Sequence, residues 1–155
     1  MKTYYDANII LKLYTEEPQS DVARAFVTSR GEALYLSRLH TAECTSALRL
    51  KQFRDECEPG QVAQALAHLE EDFAAGVLKA LPVDWDAAWQ RCRIISDFHA
   101  AATGCRTLDA LHVACAVLGS AAEFITSDRR QFALGQLAGL RVINPFEERK
   151  RPRSR

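Results

Sequence analysis

The chain lacks any apolar run approaching the ~20 residues that a membrane-spanning helix requires, so no such span is expected, nor a membrane among its partners. No secretory leader is expected either. MKTYYDANII holds one lysine but no long apolar core and no small-residue cleavage site, so a cytoplasmic protein is expected. Cys44, Cys57, Cys92, Cys105 and Cys115 form no C-x-x-C pair, and an odd number of thiols suits a disulfide framework poorly. No thiolate metal spacing competes, and four of the five fall in apolar helical patterns, where a thiol acts as a small hydrophobe. The absence of G-x-x-x-x-G-K-[ST] removes P-loop chemistry. No repeat and no interdomain linker divides the 155 residues, which read as one domain long enough to bury a continuous core.

Net charge is missing too, with 20 basic and 20 acidic residues, but the balance is uneven. The last seven residues, RKRPRSR, carry five basic side chains and no acid; removing those five leaves 15 bases against 20 acids, a body near −5. A protein that binds nucleic acid by neutralising phosphates normally shows a basic face. Here the basic element is a terminal segment, equally readable as a solvated end or as an arm on RNA. The expected division is a domain over 1–146 and a charged, flexible tail over 147–155.

What is present is alternation. Residues 3–5, 33–37, 77–83, 123–126 and 141–144 are β-prone, and helical patterns separate them almost throughout. Pro18 is expected to open one helix and Pro59 another, Ser37 and Thr107 to cap two more, and Gly76 and Gly104 to stop two. In RLHTAECTSALRLKQFRD, Leu39, Ala42, Leu50 and Phe53 mark the expected core face. The pattern predicts an α/β fold of three layers, α/β/α, around a central, mostly parallel five-stranded sheet.

In such sheets ligands gather at the carboxyl ends of the strands. Asp6 directly follows the first strand and Asp128 the fourth, while Asp109 lies in the first turn of its helix and Glu43 about two turns inside its own. Each Asp has a plainer explanation as a helix cap or a first-turn acid favoured by the helix dipole. Glu43 is harder to dismiss, because it should face inward or nearly so, with no Lys or Arg three or four residues away. A buried glutamate without a partner is unfavourable or takes up a proton. Several carboxylates pressed together repel, and a hard divalent cation, Mg²⁺ or Mn²⁺, removes the conflict. The chemistry this suggests is metal-assisted phosphodiester hydrolysis.

These residues resemble a family. YYDANIILKLYTEEP, SRLHTAECTSALRL, TLDALHVACA and ITSDRRQFALGQLAGLRVINP are similar, in this order and over nearly the full length, to segments of PIN-domain ribonucleases, specifically VapC-type toxins of type II toxin–antitoxin pairs. The resemblance implies that Asp6, Glu43, Asp109 and Asp128 hold Mg²⁺ or Mn²⁺ for RNA cleavage, supported by hydrogen bonds from Asn8 and Thr126. It also implies a homodimer and a small cognate antitoxin, VapB-like, as partner. Two other roles stay open within the family: an RNA-processing nuclease without toxicity, and a non-catalytic domain binding RNA or protein. Outside it, a phosphatase-like aspartyl nucleophile is disfavoured because Asn8 stands where a second acid belongs. His112, three residues after Asp109, reads as packing or as a hydrogen bond behind a ligand. Arg129 and Arg130 read equally as phosphate-steering groups or a solvated face.

Overall fold

The computed structural model describes residues 2–147; the expected tail lies outside them from residue 148 onward. In chain order the first elements are β1 (Thr3–Tyr5), α1 (Ala7–Tyr14), α2 (Ser20–Arg30), β2 (Leu34–Leu36), α3 (Arg38–Phe53) and α4 (Pro59–Ala74). There follow β3 (Leu78–Ala80), α5 (Trp85–Thr103), α6 (Thr107–Leu118), β4 (Glu123–Ile125), α7 (Arg129–Leu137) and β5 (Arg141–Ile143). The predicted alternation is present, and every strand pair is parallel.

The single five-stranded sheet is not. Hydrogen bonding divides the strands into a three-stranded sheet, ordered β1-β4-β5, and a two-stranded one, β2-β3. Side chains explain the break. On β1, the Tyr5 carbonyl accepts from His40 Nε2 at 2.8 Å, and the Thr3 hydroxyl donates to Glu32 at 2.6 Å. The Tyr5 carbonyl, a backbone group that a β1–β2 ladder would use, is thus committed to a partner outside the sheet, and three-residue strands have few others to offer.

Alternation along the strands feeds two cores. Tyr4 and Phe124, with Val142 at their margin, point to one face and pack with Ala88, Cys92 and Ile95 of α5, Leu111 of α6 and Leu134 of α7. Tyr5 and Ile125 point to the other, against Ile9 and Ile10 of α1, Cys44 and Leu48 of α3, and Val62 and Leu69 of α4. That is the three-layer arrangement, with β1 and β4 buried on both faces as central parallel strands should be. On α7, a Cβ added at Gly135 would lie 2.9 Å from Val142 and 3.0 Å from Phe124, so a larger residue here requires those side chains or the helix to shift.

Several local expectations change. The second helix starts at Ser20 rather than Pro18, after Gln19 in the left-handed region (φ 74°). The cap of α6 is Arg106, one residue before Thr107. On α3 the buried stripe is His40, Cys44 and Leu48, with Leu39 beside it, whereas Leu50 and Phe53 are exposed, the latter 84%. Spacing of four keeps the buried stripe on one side of the helix, and Leu50 and Phe53 lie off it.

Candidate functional site

Asp6 is where strand gives way to helix, and the structure assigns both of its oxygens. Oδ1 accepts from the Ile9 amide at 2.8 Å, making Asp6 the N-cap of α1, and Oδ2 accepts from the Thr126 hydroxyl. The residue is 1% exposed, and no cationic side chain among the described residues pairs with it. Burial raises its pKa to about 6, against the opposing pull of Thr126 and the Ile9 amide. A fully buried carboxylate with only neutral donors is an electrostatic deficit.

Thr126 ties this acid to the next. Its oxygen accepts from the Asp128 amide at 3.0 Å, linking the carboxyl ends of β1 and β4. Asp128 caps α7, accepting through Oδ1 from the amides of Arg130 (2.7 Å) and Gln131 (3.1 Å). Asp109 Oδ2 accepts from the Arg106 amide at 2.8 Å, and Oδ1 from Gln131 Nε2 at 3.3 Å. Arg130 lies between these two acids, 3.9 Å from Asp109 and 3.6 Å from Asp128. Asp6, Asp109 and Asp128 are therefore brought together in one hydrogen-bonded network in which Thr126 and Gln131 are the couplers. The starts of α1, α6 and α7 meet there, so three positive helix ends face the acids.

Glu43 is bound through a different route. Its Oε2 is hydrogen-bonded to His112 Nε2, whose other ring nitrogen meets the Tyr4 hydroxyl at 2.8 Å. The glutamate side chain is 27% exposed while that of His112 is 0%. Asn8 is exposed and makes no side-chain hydrogen bond among the described residues. It sits at a groove of about 370 Å³ with Lys12, Lys51, Arg54 and Ser127. Sequence reasoning missed Gln131; its only signal was its place three residues after Asp128, where a helix cap makes it face back to the strand ends.

The donor set of the four acids is all oxygen, which suits a hard divalent cation. Beside Asp109, the buried Gln131 Oε1 is an acceptor with no donor among the described residues. With the uncompensated charge of Asp6, this fits a cation or its bound water. Among the described residues, no three His, Cys, Asp or Glu side chains converge tightly enough to hold an ion as they stand. The chemistry of the group fits, and ligation by three or more acids requires them to draw closer.

A three-layer α/β domain with acids at the carboxyl ends of its parallel strands is the class that fold and site define. The PIN domain family matches residues 3–137, and the chain belongs to that family. No curated protein matches the chain. Among solved structures it is similar to FitAcB from Neisseria gonorrhoeae, with a TM-score of 0.59 and 20% identity over 92% of this chain and 97% of that one. It is similar also to FitAB solved bound to an IR36 DNA fragment, with a TM-score of 0.64 and 19% identity over 94% and 96%. At these identities the likeness is one of fold.

Proposed function

We propose that this chain is a Mg²⁺- or Mn²⁺-dependent endoribonuclease that hydrolyses RNA phosphodiester bonds, acting as the toxin of a VapBC-type pair. The observation that carries the reading is the network joining Asp6, Asp109 and Asp128 through Thr126 and Gln131, with Asp6 buried and, among the described residues, lacking a cationic partner. Asp6, Glu43, Asp109 and Asp128 would hold the ion. When bound, it supplies Lewis acidity toward water and phosphate. The chain's own residues do the rest. Thr126 orients Asp6 and Asp128 relative to each other, and Gln131 holds Asp109. The converging helix starts stabilise negative charge, as phosphate sites at helix N-termini do. Arg130, between two acids without RNA, is placed to turn toward a phosphate. Asn8, exposed and lining the groove with Lys12, Lys51 and Arg54, would support the site from its open side.

Exposed Phe53 (84%) and Phe98 (72%) support the expected homodimer and the small antitoxin as covering partners. No described helix is long and apolar enough to cross a membrane, and a cytoplasmic site of action follows from the toxin reading. The test is cleavage of single-stranded RNA with Mg²⁺ by protein free of contaminating nuclease, beside a DNA strand of the same sequence. Asp6→Ala and Asp109→Ala should each lower the rate at least ~100-fold while leaving the circular dichroism spectrum unchanged. Undiminished cleavage in either variant refutes the assignment. Induced expression should stop growth and co-expression of a small neighbouring gene should restore it; harmless expression favours a processing or non-catalytic role.

A further inference from the structure

Three of the four acids are fixed by their own backbone surroundings. Asp6 accepts from the Ile9 amide, Asp109 from that of Arg106, and Asp128 from those of Arg130 and Gln131. Glu43 differs. It sits inside α3, where backbone amides are used by the helix, and its longer side chain has more rotamers to lose. Whatever fixes it must come from elsewhere in the fold.

A line of polar atoms crosses the core to reach it. Tyr4 and His112 are each 0% exposed, and Tyr4 belongs to a core cluster of otherwise apolar side chains. A neutral histidine ring carries one proton, and the bond made by one nitrogen decides the role of the other. The Glu43 carboxylate at Nε2 offers only acceptors, so Nε2 must supply the proton between them, and Nδ1, left without one, meets the Tyr4 hydroxyl. The O–H therefore donates to Nδ1, the ring proton lies on Nε2, and Nε2–H donates to Glu43. Tyr4 itself cannot shift. Its ring lies 4.9 Å from His40 and 5.5 Å from Phe124, and His40 is pinned by the Tyr5 carbonyl (2.8 Å) and the Ser37 amide (3.0 Å).

We infer that Tyr4 and His112 are positioning residues for Glu43: the Tyr4 hydroxyl holds His112 as its Nε2–H tautomer, which fixes Oε2 of Glu43 and leaves Oε1 for the divalent cation. This rests on the reading of the site as a metal centre. A line of buried polar groups ending on one partly exposed carboxylate has no use in packing, since Phe and Leu fill the same volume without polar atoms to satisfy.

The experiment uses the full chain and two variants, Tyr4→Phe and His112→Gln, with His112→Leu for comparison. In metal-free wild-type protein, ¹⁵N spectra of the histidine rings should show His112 protonated at Nε2 alone, and Tyr4→Phe should lose that single form. Mn²⁺ binding, read from the free-ion electron paramagnetic resonance signal, should weaken roughly 10- to 100-fold in Tyr4→Phe and His112→Leu, the range seen when support behind a ligand is removed. His112→Gln, which keeps a donor toward Glu43, should recover part of that loss. The RNA turnover number should fall with KM unchanged. An Nδ1-protonated His112, or equal Mn²⁺ affinity in wild type and Tyr4→Phe, overturns the inference alone. Wild-type protein that neither binds Mn²⁺ nor cuts RNA overturns the metal-centre reading and the inference with it.

Discussion

Replacing Asp6 by asparagine separates the stability of the fold from the chemistry of its site. The Asp6 carboxyl is raised from its ordinary 3.8 to about 6, chiefly by burial. A shift of about two pKa units corresponds to about 3 kcal/mol. The sign follows from proton counts. Below pH 3.8 the acid is protonated in both states and imposes no penalty. Between 3.8 and 6 the folded chain keeps a proton the unfolded chain has released, so stability falls as pH rises. Above 6 the full penalty applies. Asparagine is neutral throughout and is an equally good cap for α1. Its amide nitrogen must face Thr126, whose hydroxyl then loses an acceptor, a loss of about 1 kcal/mol. The net expectation at pH 7.5 without metal is a gain of about 2 kcal/mol, or about 4–8 °C in Tm for a chain of this size. Near pH 4 the gain should be gone, and below it only the Thr126 loss of about 1 kcal/mol should remain. Urea unfolding in chelator at both pH values reads it directly. Adding Mn²⁺ at about 100 times its Kd should raise wild-type stability by about 2.7 kcal/mol and leave Asp6→Asn nearly unmoved. A variant less stable than wild type at pH 7.5 without metal refutes the claim that Asp6 carries an uncompensated charge.

Two further outcomes concern the surrounding fold. Burial pushes His40 down to about 3 from 6.5, so the unfolded chain takes up a proton that the folded chain refuses, and stability should fall as pH drops from 6.5 toward 3. In wild type Asp6 offsets this slope between pH 4 and 6; in Asp6→Asn it should dominate between about pH 5 and 6, at about 1.4 kcal/mol per pH unit, above the range where Glu17 and Glu32 add to it, and urea midpoints insensitive to pH there would contradict the buried, neutral His40. Gly135→Ala places a methyl group 2.9 Å from Val142 and 3.0 Å from Phe124. Overpacking of about 1–3 kcal/mol exceeds the helix-propensity gain of about 1 kcal/mol, so unfolding should show a loss of about 1 kcal/mol; a more stable variant would mean that α7 can lift off the sheet.

Sequence reasoning reads well where a signal is local. Asp6 and Asp128 were legible as boundary residues because the same chemistry that ends a strand starts a helix, and both prove to be caps as well as members of the acidic network. Pro59 and Gly104 were legible for the same reason. The number of sheets was not. Whether β1 and β2 share a ladder depends on what else competes for the Tyr5 carbonyl, and the competitor is a ring 35 residues away. Leu50 and Phe53 misled because apolar residues are common on surfaces, so type alone does not fix a helix's inner face.

Glu43 shows where the two kinds of legibility meet. Its neighbours on α3 showed that it turns partly inward and that no basic residue of the same helix can answer it. They could not show that the answer lies 69 residues on, in His112, nor that Tyr4 stands behind that ring. An unanswered charge in a local pattern is therefore best read as a demand on the rest of the fold. For Asp6 the demand is met by Thr126 and a backbone amide, which leave it electrostatically deficient; for Glu43 it is met by a buried histidine ring and by partial contact with solvent. The two acids enter the site in different states of compensation, and Asp6 is the one whose stability should respond most to a cation.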